Sequence, residues 1–119
     1  MKALIINKGT ATFEDFEPTL EEYYKKIGCD VIDIVCYNVN GKDYDIICDD
    51  EGLLKSPPLI VTAVGEDGSP LLVGGLIICN YDDEGNERSL EPDDILRLTN
   101  AVQYSIQNGT VQPVLVCNI

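Results

Sequence analysis

Residues 31–48, VIDIVCYNVNGKDYDIIC, decide the fold class. Val31 to Val39 is rich in β-branched residues and runs into Asn40-Gly41, the strongest two-residue hairpin signal, because both central positions of such a turn need positive φ. The returning segment alternates Tyr44, Ile46 and Cys48 against Asp43, Asp45 and Ile47, which predicts one buried and one wet face. An antiparallel pair therefore stands at the centre of the chain. On its N-terminal side, Leu4-Ile5-Ile6 is a short apolar run ended by Lys8-Gly9, and Ala11 to Phe16 returns as a second strand. Between the two hairpins Thr19 and Glu22 form a capping box ahead of a helix with Leu20, Tyr23, Tyr24 and Ile27 on one face. Glu21–Lys25 and Glu22–Lys26 are four apart on the other face, and Gly28 ends the helix.

Toward the C-terminus, Ser56-Pro57-Pro58 does not suit a central strand, since proline has no N–H to give a ladder. Leu59 to Val64 is a candidate strand and Glu66 to Pro70 a loop. Leu71 to Tyr81 is apolar on both faces and is expected as a central strand, with Gly74-Gly75 marking a bulge or the close approach of another backbone. Pro92 suits the first position of a second helix, with Asp93 and Asp94 in its first turn. Ile95, Leu98, Val102 and Ile106 supply its apolar stripe, and Asn108-Gly109 its end. Thr110 to Cys117 is expected as a terminal strand which Pro113 confines to a sheet edge. The expected fold is α+β: one domain over residues 1–119, with a mainly antiparallel sheet of five to seven strands and two helices packed on it.

The 119 residues carry 21 carboxylates against eight Lys plus Arg, a formal charge of −13. Such a surface repels phosphate backbones and anionic membranes, so no direct nucleic-acid or membrane partner is expected. Lys2 running through Ala3–Ile6 into Asn7 is no secretory leader, and the apolar stretch from Leu71 to Cys79 is too short to span a bilayer. The five cysteines are odd in number and lack CxxC spacing; four lie in apolar β-like runs, where thiols behave as small hydrophobes. The expected compartment is the reducing cytoplasm.

Histidine is absent, which removes imidazole acid–base chemistry and the Ser–His and Cys–His nucleophile pairs. No phosphate-binding glycine loop or nucleophile elbow occurs. No catalytic residue, metal ligand or cofactor is assigned. Asn80 to Glu91 has partial calcium-loop spacing, but Arg88 at its eighth position and the strand before it favour an acidic turn. The acids at Asp49, Asp50, Glu51 and at Asp82, Asp83, Glu84 form the candidate acidic surface. Mimicry of DNA would need ordered rows of carboxylates, whereas these cluster at turns and helix starts. Thr99, Asn100, Gln103 and Gln107, polar and uncharged on the outer face expected for the second helix, form the candidate interface, either with the C-terminal strand or, together with that strand and its Val111, Val114, Leu115 and Val116, with a protein partner or a second copy.

The acidic Asp49-Asp50-Glu51-Gly52 turn with Pro57-Pro58, the Gly74-Gly75-Leu76-Ile77-Ile78 strand, and Asp82-Asp83-Glu84-Gly85-Asn86 leading to Arg88-Ser89-Leu90 and a helix occur in an order that resembles the bacterial and phage family called domain of unknown function 3846. The resemblance runs from about Lys2 to Ile106. It implies an accessory protein of conjugative elements or phages; the expected role in that setting is non-enzymatic, the binding of another protein, with the countering of host defence as one form of it. The alternative is a domain that binds a small molecule or nucleotide signal.

Overall fold

In the computed structural model, which describes residues 1–52 and 59–118, the chain is α+β. The expectation for Pro57-Pro58 lies outside the described residues. In chain order the elements are β1 Lys2–Asn7, β2 Thr10–Asp15, α1 Leu20–Ile27, β3 Ile32–Val39, β4 Lys42–Asp49, β5 Val61–Gly65, β6 Pro70–Val73, β7 Leu76–Tyr81, β8 Glu87–Arg88, α2 Pro92–Ala101, β9 Val102–Gln107 and β10 Thr110–Cys117.

Two sheets form. The first has the order β2-β1-β7-β4-β3, all antiparallel, with β8 paired to the far end of β7; the second has the order β6-β5-β10-β9. Period-two alternation in the central strands sorts their side chains into two clusters. Ala3, Ile5, Ile47, Ile77 and Cys79 meet Tyr23 and Ile27 of α1 on one face. Leu4, Ile6, Tyr44, Ile46, Leu76 and Ile78 meet Ala63, Leu115 and Cys117 of the second sheet, with Leu98 and Ala101 of α2, on the other. The first sheet is thus covered on both faces, and the wet face expected for β4 is corrected: α1 packs over it, which is why Ile46 and Ile47 are both buried although they point opposite ways.

α1 runs where the capping residues place it. Thr19 Oγ1 accepts from the Glu22 N–H at 3.2 Å, and Gly28 adopts φ 79° at the C-cap. The reciprocal arm is replaced: the Thr19 N–H donates to Glu17 O. Lys26, expected to pair with Glu22, reaches Glu14 on β2 at 3.0 Å.

Three further expectations are corrected. The second helix stops at Ala101, and Val102–Gln107 is a strand. Val102, Tyr104 and Ile106 recur at a period of two as well as Leu98, Val102 and Ile106 at about four, and pairing with β10 selects the first. Asn108-Gly109 is consequently a hairpin turn, with φ 51° and 77°, and no helix cap. Ile106 is 77% exposed. Second, β10 is an inner strand: it runs antiparallel to β9 and parallel to β5. Pro113 is tolerated there because the β5 ladder starts at Leu115↔Ala63; the Gln107 carboxamide supplies the missing partner, accepting from the Val61 N–H and donating to Val61 O, both at 2.8 Å. Third, the apolar stretch 71–81 divides between β6 and β7 in different sheets. Gly74, at φ 77°, makes the crossing, and at Gly75 a Cβ would lie 2.9 Å from Ile27 Cα and O. The expected close backbone approach is therefore real, but no single strand runs through it.

Candidate functional site

The two acidic turns are placed apart. In the β4–β7 register, Cys48 opposes Leu76 and Asp45 opposes Cys79, so Asp49, Asp50 and Glu51 lie at one end of the first sheet and Asp82, Asp83 and Glu84 at the other. Near the second group, Asp45 is held above the usual carboxylate range by burial and by Glu87. Asp33 on β3, opposite Cys48, lies near the first. The carboxylates form two separate fields, not one row.

Within the calcium-like segment, Asp82 is occupied by its own turn. Its Oδ1 accepts the Glu84 and Asn86 N–H groups, each at 2.9 Å, and its Oδ2 pairs with Arg88 at 2.6 Å. Those contacts, led by the Asn86 N–H, hold its carboxyl below the usual range. The segment is the β7–β8 hairpin, and Asn80 faces away to Ser89 O and Asp94.

The densest polar constellation centres on Asp94, in the first turn of α2, which is fully buried. Oδ1 accepts from Lys42 Nζ at 2.6 Å, Tyr44 Oη at 2.6 Å and Arg97 Nη1 at 3.1 Å. Oδ2 accepts from Asn80 Nδ2 at 2.7 Å and the Glu91 N–H at 2.8 Å. Arg97 Nη1 also donates to Tyr44 Oη at 2.9 Å. Burial opposes ionisation of Asp94, but the hydrogen bonds from Lys42, Tyr44, the Glu91 N–H and Asn80 outweigh it and drive the carboxyl far below the ordinary range. Tyr44 is pushed up to about 12, first by burial and then by its bond to Asp94. Every lone pair of the carboxylate is engaged from inside the fold, so the group clamps α2 to β4 and β7 and does not offer a free base. Residue-by-residue reading assigned Asp94 only to the helix dipole. The signal was its position on the apolar stripe with Leu98 and Ala101, at i, i+4 and i+7, where a charge must be buried with partners.

A cleft of about 230 Å³ opens between the sheets beside Asn7, Lys8, Thr62, Gly74 and Gln112. Asn7 donates to Lys26 O and Thr62 to Gly74 O, so two of its polar side chains are already spent on the scaffold.

The candidate interface residues separate. Thr99 and Asn100 are exposed on α2, and Thr99 Oγ1 donates to Ile95 O. Gln103 and Gln107 are on β9, on the face opposite to Tyr104 and Ile106. The most exposed apolar group adds two residues that sequence reading missed to one it named: Tyr104 at 66% and Ile106 at 77% share a face of the β9–β10 hairpin with Val111 at 57%, where Ile106 opposes Val111. No charged side chain follows Arg97 in the chain.

Cys29, Cys48, Cys79 and Cys117 are buried, and burial pushes the Cys48 and Cys117 thiols up to about 11 and Cys79 up to about 12. Cys36 is exposed beside Tyr81 Oη at 4.0 Å. No helix among the described residues is long and apolar enough to cross a membrane. A family model described as Domain of unknown function (DUF3846) matches residues 1–103, a span that closes inside β9. No curated protein and no solved structure matches the chain.

Proposed function

Since the chain belongs to the domain of unknown function 3846 family, we propose that it is a cytoplasmic accessory protein of a bacterial mobile element or phage which acts by binding another protein and not by catalysis. One observation carries this: the charge is segregated, with all 21 carboxylates and eight basic residues before Leu98 and an acidic turn at each end of the first sheet. Fields of one sign favour a partner with a basic surface and speed its approach. A host-defence protein that grips nucleic acid has such a surface, and blocking it would be the anti-defence role. The inward commitment of Asp94 supports a binding role over an acid–base one.

The test is affinity capture from bacterial lysate by the intact chain and by a variant carrying Asp49→Asn, Asp50→Asn and Glu51→Gln, with a second variant neutralised at Asp82, Asp83 and Glu84. A partner that is released by salt and lost on neutralising one turn supports the reading. A partner indifferent to both variants and to salt refutes it. The cleft beside Lys8 and Gln112 favours a second reading, a small-molecule or nucleotide-signal binder. That reading predicts a saturable rise in melting temperature with metabolite fractions, abolished by Gln112→Ala and unaffected by the acidic-turn variants.

A further inference from the structure

We propose that two copies of this chain pair through β9, antiparallel and with Tyr104 at the two-fold axis, joining their second sheets into one. Among the described residues, four strands end the two sheets: β2, β3, β6 and β9. Natural edges are guarded by charge, proline or shortness, because an open row of N–H and C=O groups recruits other strands. β2 carries Glu14 and Asp15, β3 carries Asp33, and β6 is four residues long and begins with Pro70. β9, Val102-Gln103-Tyr104-Ser105-Ile106-Gln107, has none of these guards. It also presents the exposed Tyr104 and Ile106.

The hydrogen-bond phase selects the register. In the turn at Asn108-Gly109, Gln107 and Thr110 are the bonded pair, so Gln107, Ser105 and Gln103 direct their backbone groups to β10. Tyr104 and Ile106 direct theirs outward. Val102 confirms the phase, since its N–H donates to Thr99 O and not to β10. Pro113, opposite Tyr104, loses nothing there for want of an N–H. In a symmetric antiparallel pair the outward residues must face outward residues. Centring on Tyr104 sets Tyr104 against its own copy and Ile106 against Val102 of the other. About four new backbone bonds form: two between the tyrosines, and one from each Ile106 N–H to the other copy's Val102 C=O. The apolar face then runs unbroken across the axis.

Charge identifies the occupant as a second copy. Each molecule carries −13, and the hairpin beyond Arg97 is the stretch through which two such molecules can meet without opposing carboxylates. A basic partner would be drawn instead to the acidic turns. This pairing is independent of the partner-binding reading, which uses those turns.

The test is sedimentation of the full chain over a range of concentrations, at about 0.05 and about 0.5 M salt. A dimer that tightens with salt is expected. Tyr104→Lys, at an exposed site whose folding is checked by circular dichroism, should weaken it at least tenfold by opposing two cations across the axis. Register is read by oxidation in a Cys36→Ser background: Tyr104→Cys should cross-link, since a bonded antiparallel pair has Cα atoms about 5.5 Å apart, within disulfide reach. Ile106→Cys should not. A chain monomeric throughout, or a dimer unmoved by Tyr104→Lys with no Tyr104→Cys cross-link, overturns the proposal.

Discussion

Replacing Asp94 by Asn keeps the shape of the buried side chain and removes its charge. At least two of the five donors converging on it then lose their acceptor, because the amide nitrogen must face either the Lys42–Tyr44–Arg97 group or the Asn80–Glu91 pair. Lys42 and Arg97 are partly exposed and can turn toward water, whereas Tyr44 is buried and cannot. Breaking a buried, hydrogen-bonded ion pair by removing one partner typically costs 3–5 kcal/mol, and the escape of the two cations places this site at about 3 kcal/mol. For a domain of this size that lowers the melting temperature by roughly 10 °C. The sign of the pH dependence follows from the depressed carboxyl. The Asp94 contribution is complete above the unfolded-state value near 4 and drains away as pH falls toward the much lower folded value. Elsewhere acidification relieves repulsion among the other carboxylates, so the stability of the wild type alone mixes two opposed trends. The difference between wild type and Asp94→Asn isolates the clamp. Urea unfolding at pH 7, 5, 4 and 3 should give a gap that is constant down to about pH 5 and shrinks below about 4. A gap under about 1 kcal/mol at pH 7, or one that widens on acidification, would refute the reasoning.

Gly75→Ala should destabilise by about 1–3 kcal/mol through overpacking, since the new Cβ would meet backbone atoms of Ile27 at 2.9 Å; a neutral result in urea would mean that α1 moves freely on the sheet. Leu98→Asp should prevent folding, because an unpaired charge would enter the core, while Ile106→Asp should leave monomer stability within about 0.5 kcal/mol; equal damage from both would restore a helix running to residue 107. Gln107→Leu should cost about 1–3 kcal/mol by stripping both partners from the Val61 backbone, and thermal melts of that variant beside Gln103→Leu, which is expected to be silent, measure it.

Local chemistry was legible wherever one short stretch holds the whole cause. The Asn40-Gly41 hairpin with its β3 and β4 strands, the Thr19 cap and the Gly28 stop are dictated by φ preference and β-branched or alternating side chains, which act over a few residues. The fold class and the family resemblance followed from their order, and the match over residues 1–103 agrees with it. The candidate acidic residues lie in turns except Asp49, which ends β4, but their separation to opposite ends of a sheet is a property of β4–β7 register and is written in neither turn.

What the sequence by itself determined is therefore the set of pieces: which stretches alternate, where the chain must turn, and that all charge precedes Leu98. Only the tertiary structure decided the fate of Val102–Gln107, whose side chains satisfy a helical and an extended period alike. Partners distant in the chain settled it, because β10 offers β9 a ladder while β5 and the first sheet hold β10 in place. The same holds for Asp94: its donors come from residues 42, 44, 80, 91 and 97, and no local pattern brings them together. A buried charge is stable only where such convergence exists, and convergence is made by packing.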